Sequence, residues 1–236
     1  MTIPHIIHQI WSNQYEELPE IFQELGMTWK TYHPDWKYIL WDNNKMDLFI
    51  HSYYPEYEKR YNNFYFNIQR WDVIRYLILY QMGGIYVDFD YECISPIEEI
   101  LKKNCCFAME PKEHKPPFWE DNNPYFNNAF IATVPKHPFL CKIIETIFKQ
   151  DLSFCPKNKS KFEHVLRTTG PVMLSETYAQ YRNKEEIYLI PAEYISPFSS
   201  QEVRSIWNGC KKEELEERLQ KAVAIHYFMG TWNKYE

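Results

Sequence analysis

The chain has 236 residues and a formal net charge of −6 at pH 7, so it is long enough to bury the core of one compact domain. An acidic chain lacks the basic surface that a general nucleic-acid binder needs, and no nucleic-acid partner is expected. No window approaches the roughly 20 apolar residues of a membrane-spanning helix, and the amino terminus has no pattern of a secretory signal. We therefore expect a single domain over residues 1–236 in the cytoplasm, with at most peripheral membrane association.

The six cysteines show no Cys-x-x-Cys spacing, so the sequence predicts no zinc site. Two adjacent cysteines lie in a predicted strand, where neighbouring side chains point to opposite faces. Free thiols in a reducing compartment are therefore expected. The cysteines are Cys93, Cys105, Cys106, Cys141, Cys155 and Cys210.

Strand-like and helix-like segments alternate along the chain, which is typical of an α/β fold with a mostly parallel central sheet flanked by helices. A segment rich in Pro, Lys, Glu and Asn, 110–124, predicts a loop that either borders a substrate site or has no function. Residues 157–162 predict a mobile connection. Predicted strands cover 3–11, 37–41, 85–87, 105–109, 126–132 and 223–225; predicted helices cover 19–31, 46–52, 56–61, 67–82, 139–148, 172–182 and 211–222.

Helix 67–82 has apolar residues on nearly every face, which predicts that it is mostly buried. Gly83 supplies the left-handed residue that commonly ends a helix. Gly84 then lets the chain turn directly into the β-prone run 85–87. This order predicts an inner strand that begins immediately after a buried helix.

Asp88 and Asp90 lie one residue apart at the end of that predicted strand, where open α/β sheets place their ligands. Two carboxylates this close repel each other unless a positive charge sits between them. Hard cations such as Mg²⁺ and Mn²⁺ prefer oxygen ligands of this kind. The pattern is short and common, so ordinary strand-end and turn residues are the alternative.

Asp72 and Arg75 lie three residues apart and therefore on one face of helix 67–82. An exposed pair would be a common and weak salt bridge. A buried pair is costly to desolvate and is more plausible where a polar ligand shares the site. A sugar would be such a ligand, because Asp72 can accept hydrogen bonds from hydroxyl groups and Arg75 can donate them.

The end of the chain contains a further candidate segment, in which the apolar run 223–225 leads into His226 and Gly230. A lone histidine after a strand is usually just hydrogen-bonded, and metal ligation is the alternative. Gly230 would let the backbone pass close to a phosphate group. The segment could then order over a bound ligand as a lid that excludes water.

Several short motifs occur together in one order along the chain. The motifs are 3–11 (IPHIIHQIW), 72–76 (DVIRY), 83–90 (GGIYVDFD), 128–131 (NAFI), 136–138 (KHP), 169–171 (TGP) and 226–232 (HYFMGTW). Their order resembles that of the glycosyltransferases with the DXD sugar-binding motif, family 32.

The resemblance implies a GT-A fold, a nucleotide-sugar donor, a bound divalent metal and transfer with retention of the anomeric configuration. A UDP-sugar is favoured over a GDP-sugar, and the metal would be Mn²⁺ or Mg²⁺. The acceptor would be a glycan or a lipid-linked glycan in surface polysaccharide synthesis. The acceptor hydroxyl would attack from the face that the phosphate leaves, with a covalent intermediate as the alternative.

The family roles can be placed on matching positions of this chain. Asp88 would contact the donor sugar or the ribose. Asp90 would bind the metal, with His226 as a second protein ligand. Asp72 and Arg75 would hold the donor sugar.

Other positions would bind the nucleotide. Trp11 would stack on the base, Gly84 is counted among the cofactor-binding residues, and Thr231 and Trp232 would lie over the diphosphate. The chain departs from the family pattern at two places. Thr231 replaces a usual serine and keeps its hydroxyl group, whereas Trp71 replaces a usual small residue and could reshape the donor pocket.

Two other classes of protein share part of this pattern. Phosphatases of the haloacid dehalogenase type also place Asp-x-Asp after a strand and use the first aspartate as a nucleophile, although they carry it near the amino terminus. A non-enzymatic carbohydrate- or metal-binding module is the other alternative. Such a module would not need the pair Asp72 and Arg75 or the distant His226 segment.

Overall fold

The computed structural model describes residues 2–14, 16–117, 119, 123–209 and 213–231. The strands in these ranges are β1 (Ile6–Ile10), β2 (Lys37–Trp41), β3 (Gly84–Val87), β4 (Tyr91–Cys93), β5 (Cys105–Met109), β6 (Phe126–Thr133), β7 (Tyr188–Ile190) and β8 (Ala224–His226). The α-helices are α1 (Glu20–Tyr32), α2 (Asn43–Tyr53), α3 (Pro55–Asn62), α4 (Asn67–Met82), α5 (Pro138–Phe148), α6 (Lys161–Thr168), α7 (Pro171–Ala179), α8 (Ala192–Ile195), α9 (Ser200–Trp207) and α10 (Glu213–Leu219).

The central sheet has six strands in the order β2-β1-β3-β6-β5-β7. β1 is parallel to both β2 and β3, and β7 is parallel to β5. β6 is antiparallel to both of its neighbours, β3 and β5. The predicted α/β class with a mostly parallel sheet is therefore confirmed. A separate two-stranded antiparallel sheet joins β4 to β8.

Alternate residues of β3 face two separate hydrophobic cores, as the period of a strand requires. Tyr86 packs into a core that includes apolar residues of α4 and α5. Ile85 and Val87 pack into a second core that includes Trp29 of α1. Helices therefore cover both faces of the sheet, and β3 is fully buried between them.

Three predicted elements have the bounds that the structure shows. They are helix 67–82 and strands 37–41 and 105–109. The three-residue strands β4 and β7 are not predicted, because a run this short shows no alternation of apolar and polar residues. Each is ordered by pairing with a strand that is distant in sequence.

The prediction of a mobile connection over 157–162 is wrong for its last two residues, which begin helix α6. The Ser160 side chain accepts a hydrogen bond from the backbone N–H of Glu163 at 3.1 Å, as an N-cap does. Local polarity therefore masks a helix whose buried face includes Val165.

The thiols follow the prediction where the structure describes them, because the five described cysteines are all free. Cys210 lies outside the described residues. None of the helices in the described ranges has both the length and the hydrophobicity that crossing a membrane requires.

The turn from α4 into β3 requires glycine at both of its positions. Gly83 has a φ of +66° and Gly84 a φ of +97°, in the region that side chains rarely adopt. A Cβ on Gly84 would also lie 2.6 Å from the carbonyl oxygen of Ile6 in β1. The close approach of β1 to β3 therefore depends on the missing side chain.

We predict that Gly84→Ala lowers the free energy of unfolding by about 1–3 kcal/mol more than Gly209→Ala does. Gly209 is the matched control, since its φ of +86° imposes the same kind of strain but no heavy atom of the described residues lies within 4 Å of its Cβ position. Urea denaturation of both variants measures the difference. Equal losses would contradict the claim that contact with β1 excludes a side chain.

Candidate active site

A cavity of about 550 Å³ opens at the edge of the sheet where β1 and β3 end, and its size suits a small ligand. β6 runs antiparallel to β3, so its first residues lie at this same edge. Most of the site residues that the sequence predicts line this cavity. They are Trp11, Asp72, Arg75, Asp88, Asp90, His226 and Thr231.

The buried guanidinium of Arg75 joins two of the predicted carboxylates. Its Nη2 lies 3.2 Å from Oδ1 of Asp72, and its Nη1 lies 3.1 Å from Oδ1 of Asp88. Nη1 also donates a hydrogen bond to the carbonyl oxygen of Asn128 at 2.9 Å. Burial alone would lower the pKa of Arg75, but the negative groups around it, led by Asp88, outweigh burial and raise the pKa. Arg75 therefore stays charged inside the protein.

Asp72 is held by two residues to which the sequence analysis assigns no role. Asn128 Nδ2 donates to its Oδ1 and Thr169 Oγ1 donates to its Oδ2, each at 2.8 Å. The side chains of Asp72 and Arg75 are only 7% and 6% exposed. The structure therefore excludes the exposed salt bridge and shows the buried pair. The only sequence signal for Asn128 and Thr169 is that each is a polar residue in a quoted motif.

Asp88 continues the strand pairing of β3 by one residue, because its N–H donates to the carbonyl oxygen of Ala129 at 2.8 Å. Its Oδ1 accepts hydrogen bonds from Arg75 and from the hydroxyl group of Tyr86. The carboxylate is therefore fixed in position at the edge of the cavity.

Asp90 and His226 meet because β8 pairs with β4, which places His226 opposite Tyr91. Oδ1 of Asp90 lies 3.3 Å from Nε2 of His226, and its Oδ2 accepts from the backbone N–H of Met229 at 2.9 Å. Burial alone would raise the pKa of Asp90, but His226 and the N–H of Met229 hold it below its ordinary value. Burial alone would lower the pKa of His226, but Asp90 raises it. The two groups therefore form an ion pair.

Each of the two neighbouring aspartates thus has its own cationic partner within the protein. Arg75 pairs with Asp88, and His226 pairs with Asp90. The repulsion from which the sequence predicts a metal is therefore already relieved by the chain itself, and the argument for a metal has to come from the donor atoms.

Those donor atoms fit a divalent cation. The 3.3 Å between Oδ1 of Asp90 and Nε2 of His226 is close to the roughly 3 Å between adjacent ligands of an octahedral ion with bonds of about 2.1 Å. Nδ1 of His226 is buried and has no hydrogen-bond partner in the described part of the chain. A bound cation would take the place of the proton on Nε2, because a ligating imidazole is neutral. Within that part, no three His, Cys, Asp or Glu residues form a metal-binding group. The chain would thus supply two ligands and leave the others to phosphate oxygens and water.

The nucleotide-binding predictions have different outcomes. Trp11 lines the cavity, where its ring centroid lies 5.3 Å from that of Phe22 and 6.2 Å from that of Phe89. Gly84 is not brought to the cavity, because it begins β3 at the end far from Asp88 and contacts β1. We correct that assignment, since Gly84 is required for the turn.

The carboxyl-terminal segment reaches the cavity as far as the structure describes it. Gly230 and Thr231 line the cavity, and Gly230 has a φ of +58°. Trp232, which the sequence analysis places over the diphosphate, lies outside the described residues.

A further polar group lines the cavity where β5 ends. Oε2 of Glu110 lies 2.7 Å from Nδ1 of His114, and Nε2 of His114 accepts the backbone N–H of Ser200 at 2.9 Å. The sequence analysis assigns no role to these residues, because they lie in the predicted loop 110–124 and in the unpredicted helix α9.

Comparison with known proteins identifies the family. Residues 19–107 match the family model described as a glycosyltransferase sugar-binding region containing a DXD motif. This matched region belongs to that glycosyltransferase family. Its match to the model contains Asp72, Arg75, Asp88 and Asp90, and the family resemblance given by the sequence is confirmed.

Two curated relatives of this chain are fungal enzymes. It is 31% identical over 195 residues to inositol phosphoceramide mannosyltransferase 1 of Schizosaccharomyces pombe. This match covers 80% of the chain and 56% of the relative. The chain is also 31% identical over 232 residues to the mannosyl phosphorylinositol ceramide synthase SUR1 of Saccharomyces cerevisiae. This second match covers 95% of the chain and 55% of the relative. The chain therefore spans about half the length of these relatives.

Solved structures identify the fold of this chain. The PaToxG glycosyltransferase superimposes with a TM-score of 0.54 at 15% identity, over 93% of this chain and 84% of that one. The ligand-free glycosyltransferase domain of the YGT toxin gives a TM-score of 0.51 at 11% identity, over 92% and 88%. The predicted GT-A fold is confirmed.

We predict that Thr169→Val lowers the free energy of unfolding by about 1–3 kcal/mol, because it leaves Oδ2 of the buried Asp72 without its donor. Thr177→Val is the matched control. Thr177 is also buried, but its hydroxyl group donates to a helix carbonyl, that of Met173, which the helix backbone can satisfy alone. Urea denaturation should show little change for the control, and equal losses in the two variants would contradict the assigned role of Thr169.

Proposed function

We propose that this protein is a metal-dependent, retaining glycosyltransferase that moves a hexose from a nucleotide sugar to a hydroxyl group of a glycan or lipid-linked glycan. Residues 1–236 would act as one catalytic domain. The observation that carries the proposal is the buried pair Asp72 and Arg75 with the half-buried Asp88 beside it on the wall of the cavity. Membership of the DXD glycosyltransferase family supports it independently.

A sugar suits this wall because the wall presents charged groups at fixed positions. Arg75, Asp72 and Asp88 are held by one another and by neighbouring polar groups, so they need no rearrangement when a ligand binds. Carboxylates can accept hydrogen bonds from sugar hydroxyl groups, and the guanidinium can donate them. A ligand without polar groups would displace water from these atoms and leave them without hydrogen-bond partners.

The identity of the donor is the finer part of the proposal. The sequence analysis favours a UDP-sugar. The two relatives are named for the transfer of a mannosyl group to an inositol-containing ceramide lipid. Their names favour a mannosyl donor with a lipid-linked polyol as the acceptor. A donor screen therefore has to compare UDP-sugars with a mannosyl donor. The cytoplasmic location and the role in polysaccharide synthesis stay predictions from the sequence.

The chemistry requires that negative charge be stabilised on the departing diphosphate. Asp90 and His226 would hold a divalent cation, which when bound stabilises that charge as a Lewis acid. Trp11 would hold the base at the rim, while Asp72 and Arg75 would hold the sugar ring in place. The segment 226–231 borders the cavity and would exclude water from the reacting bond.

We infer retention of configuration from the family resemblance, and the contacts of the carboxylates bear on how it would be achieved. Asp88 accepts hydrogen bonds from Arg75 and Tyr86, and Asp90 pairs with His226. Neither is a free nucleophile, so attack by the acceptor hydroxyl on the face that the phosphate leaves is favoured, with the phosphate taking the proton. The same commitment of Asp88 argues against a phosphatase reaction, in which this residue would have to attack phosphorus.

A donor screen tests the proposal. We predict that one member of a panel of UDP-glucose, UDP-galactose, UDP-N-acetylglucosamine and GDP-mannose raises the melting temperature in the presence of Mn²⁺, because a ligand that binds only the folded state stabilises it. Release of the nucleoside diphosphate then measures turnover, and NMR of the product should show the anomeric configuration of the donor. No stabilisation and no release with any member would contradict the proposed function.

Asp90→Asn should reduce metal-dependent turnover of that donor by at least about a hundredfold, because the amide is a poorer ligand for a hard cation. The matched control is Asp35→Asn, which removes an exposed carboxylate far from the cavity lining. Circular dichroism checks that both variants are folded. Full turnover by a folded Asp90→Asn variant would overturn the assignment of Asp90 to the metal.

A further inference from the structure

Glu110 is a buried carboxylate at the cavity whose role the proposed reaction does not include. Its side chain is 10% exposed, and its backbone N–H donates to the carbonyl oxygen of Tyr125, which fixes it beside the start of β6. Oε2 lies 2.7 Å from Nδ1 of His114. In the described ranges Oε1 has no hydrogen-bond partner in the protein. One oxygen of this carboxylate is therefore available to a ligand.

The hydrogen bonds of His114 determine the form of its ring. The backbone N–H of Ser200 can only donate, so Nε2 of His114 must accept. The ring proton is therefore on Nδ1, where it is donated to Glu110. His114 therefore orients Glu110 by donating from Nδ1, and a carboxylate is a strong acceptor for a hydroxyl group.

The position of Glu110 separates it from the donor side of the cavity. Asp88 follows β3 and Glu110 follows β5, and the two strands point in the same direction because both are antiparallel to β6. Two strand spacings and an offset of four residues along β6, where Asp88 pairs with Ala129 and Glu110 with Tyr125, place the two backbone positions roughly 16 Å apart. The sugar held by Asp72 and Arg75 would lie over β3 and β6, which leaves the space beside Glu110 for a second molecule.

We propose that Glu110, oriented by His114, binds the hydroxyl group of a polyol acceptor. The inference rests on the proposed function, because an acceptor site has meaning only beside a bound donor. Glu110 accepts a hydrogen bond from the hydroxyl group and holds its oxygen toward the donor sugar. It takes no part in binding the nucleotide.

Glu110, His114 and Ser200 do not form a nucleophilic triad, although Oγ of Ser200 lies 3.2 Å from Nε2 of His114. The backbone N–H of Ser200 already occupies the lone pair that would have to receive the hydroxyl proton. His114 instead satisfies a free N–H at the start of α9, which places that helix against the cavity. A purely structural role for Glu110 would therefore act through α9 and through stability.

Glu110→Gln tests the proposal, because the amide oxygen can still accept the Nδ1–H of His114 while the charge is lost. Kinetics use the nucleotide sugar that the screen identifies, with myo-inositol and methyl α-D-mannopyranoside as polyol acceptors. We expect the acceptor KM to rise by about tenfold to a hundredfold, with the donor KM and the rate of donor hydrolysis unchanged. Glu113→Gln is the matched control, since Glu113 is exposed on the same short helix, Lys112–His114, and should leave both KM values unchanged.

The outcomes separate this inference from the proposed function. Absence of any donor turnover by the wild-type protein contradicts the proposed function and removes the basis of the inference. Donor hydrolysis without transfer to either polyol overturns the inference alone. An unchanged acceptor KM with a lower melting temperature in Glu110→Gln shows a structural role and also overturns it. Glu110→Asp keeps the charge but shortens its reach, so it should raise the acceptor KM as well.

Discussion

The site depends on one buried cation, the guanidinium of Arg75. It lies on helix α4, whose apolar residues cover nearly every face and force the helix into the core. A buried charge is tolerated only when it is paired and hydrogen-bonded, and removing one partner of such a pair costs about 3–5 kcal/mol. Asp72, Asp88 and the carbonyl oxygen of Asn128 provide the partners. The helix, the end of β3 and the start of β6 are therefore fixed to one another by the same group.

The antiparallel strand β6 in an otherwise parallel sheet contributes to this arrangement. Because β6 runs opposite to β3, its first residues reach the edge at which β3 ends. Asn128 can therefore contact both Asp72 and Arg75. The end of the chain completes the site from the other side, since β8 brings His226 to Asp90. Two cation–carboxylate pairs thus stand side by side on one cavity wall.

The sequence predicts those parts of the site whose residues lie a few positions apart in the chain. Asp72 and Arg75 are three residues apart on a helix, and Asp88 and Asp90 follow a strand that two glycines introduce. The contacts of Asn128 and Thr169 with Asp72 span 56 and 97 residues, and no local pattern encodes such distances. The assignment of Gly84 to cofactor binding shows the limit of a shared motif. The motif matches the family, but in this chain the residue is needed for backbone geometry and not for a ligand.

Glu110 and His114 show the same limit of local reading. Their segment contains proline, lysine and asparagine and predicts a loop, which says nothing about whether a carboxylate within it is buried. Burial arises from β5 and from α9, an element whose start is fixed by Ser199 and Glu202 in a capping box. Only the folded chain brings these pieces to one cavity.

The most direct test of the central claim is a crystal structure of the protein soaked with Mn²⁺ and the nucleotide sugar that it binds. The account predicts an anomalous manganese peak beside Asp90 and His226, with hydroxyl groups of the donor sugar hydrogen-bonded to Asp72 and Arg75. An ordered nucleotide sugar bound elsewhere, or a manganese peak remote from Asp90, would contradict it.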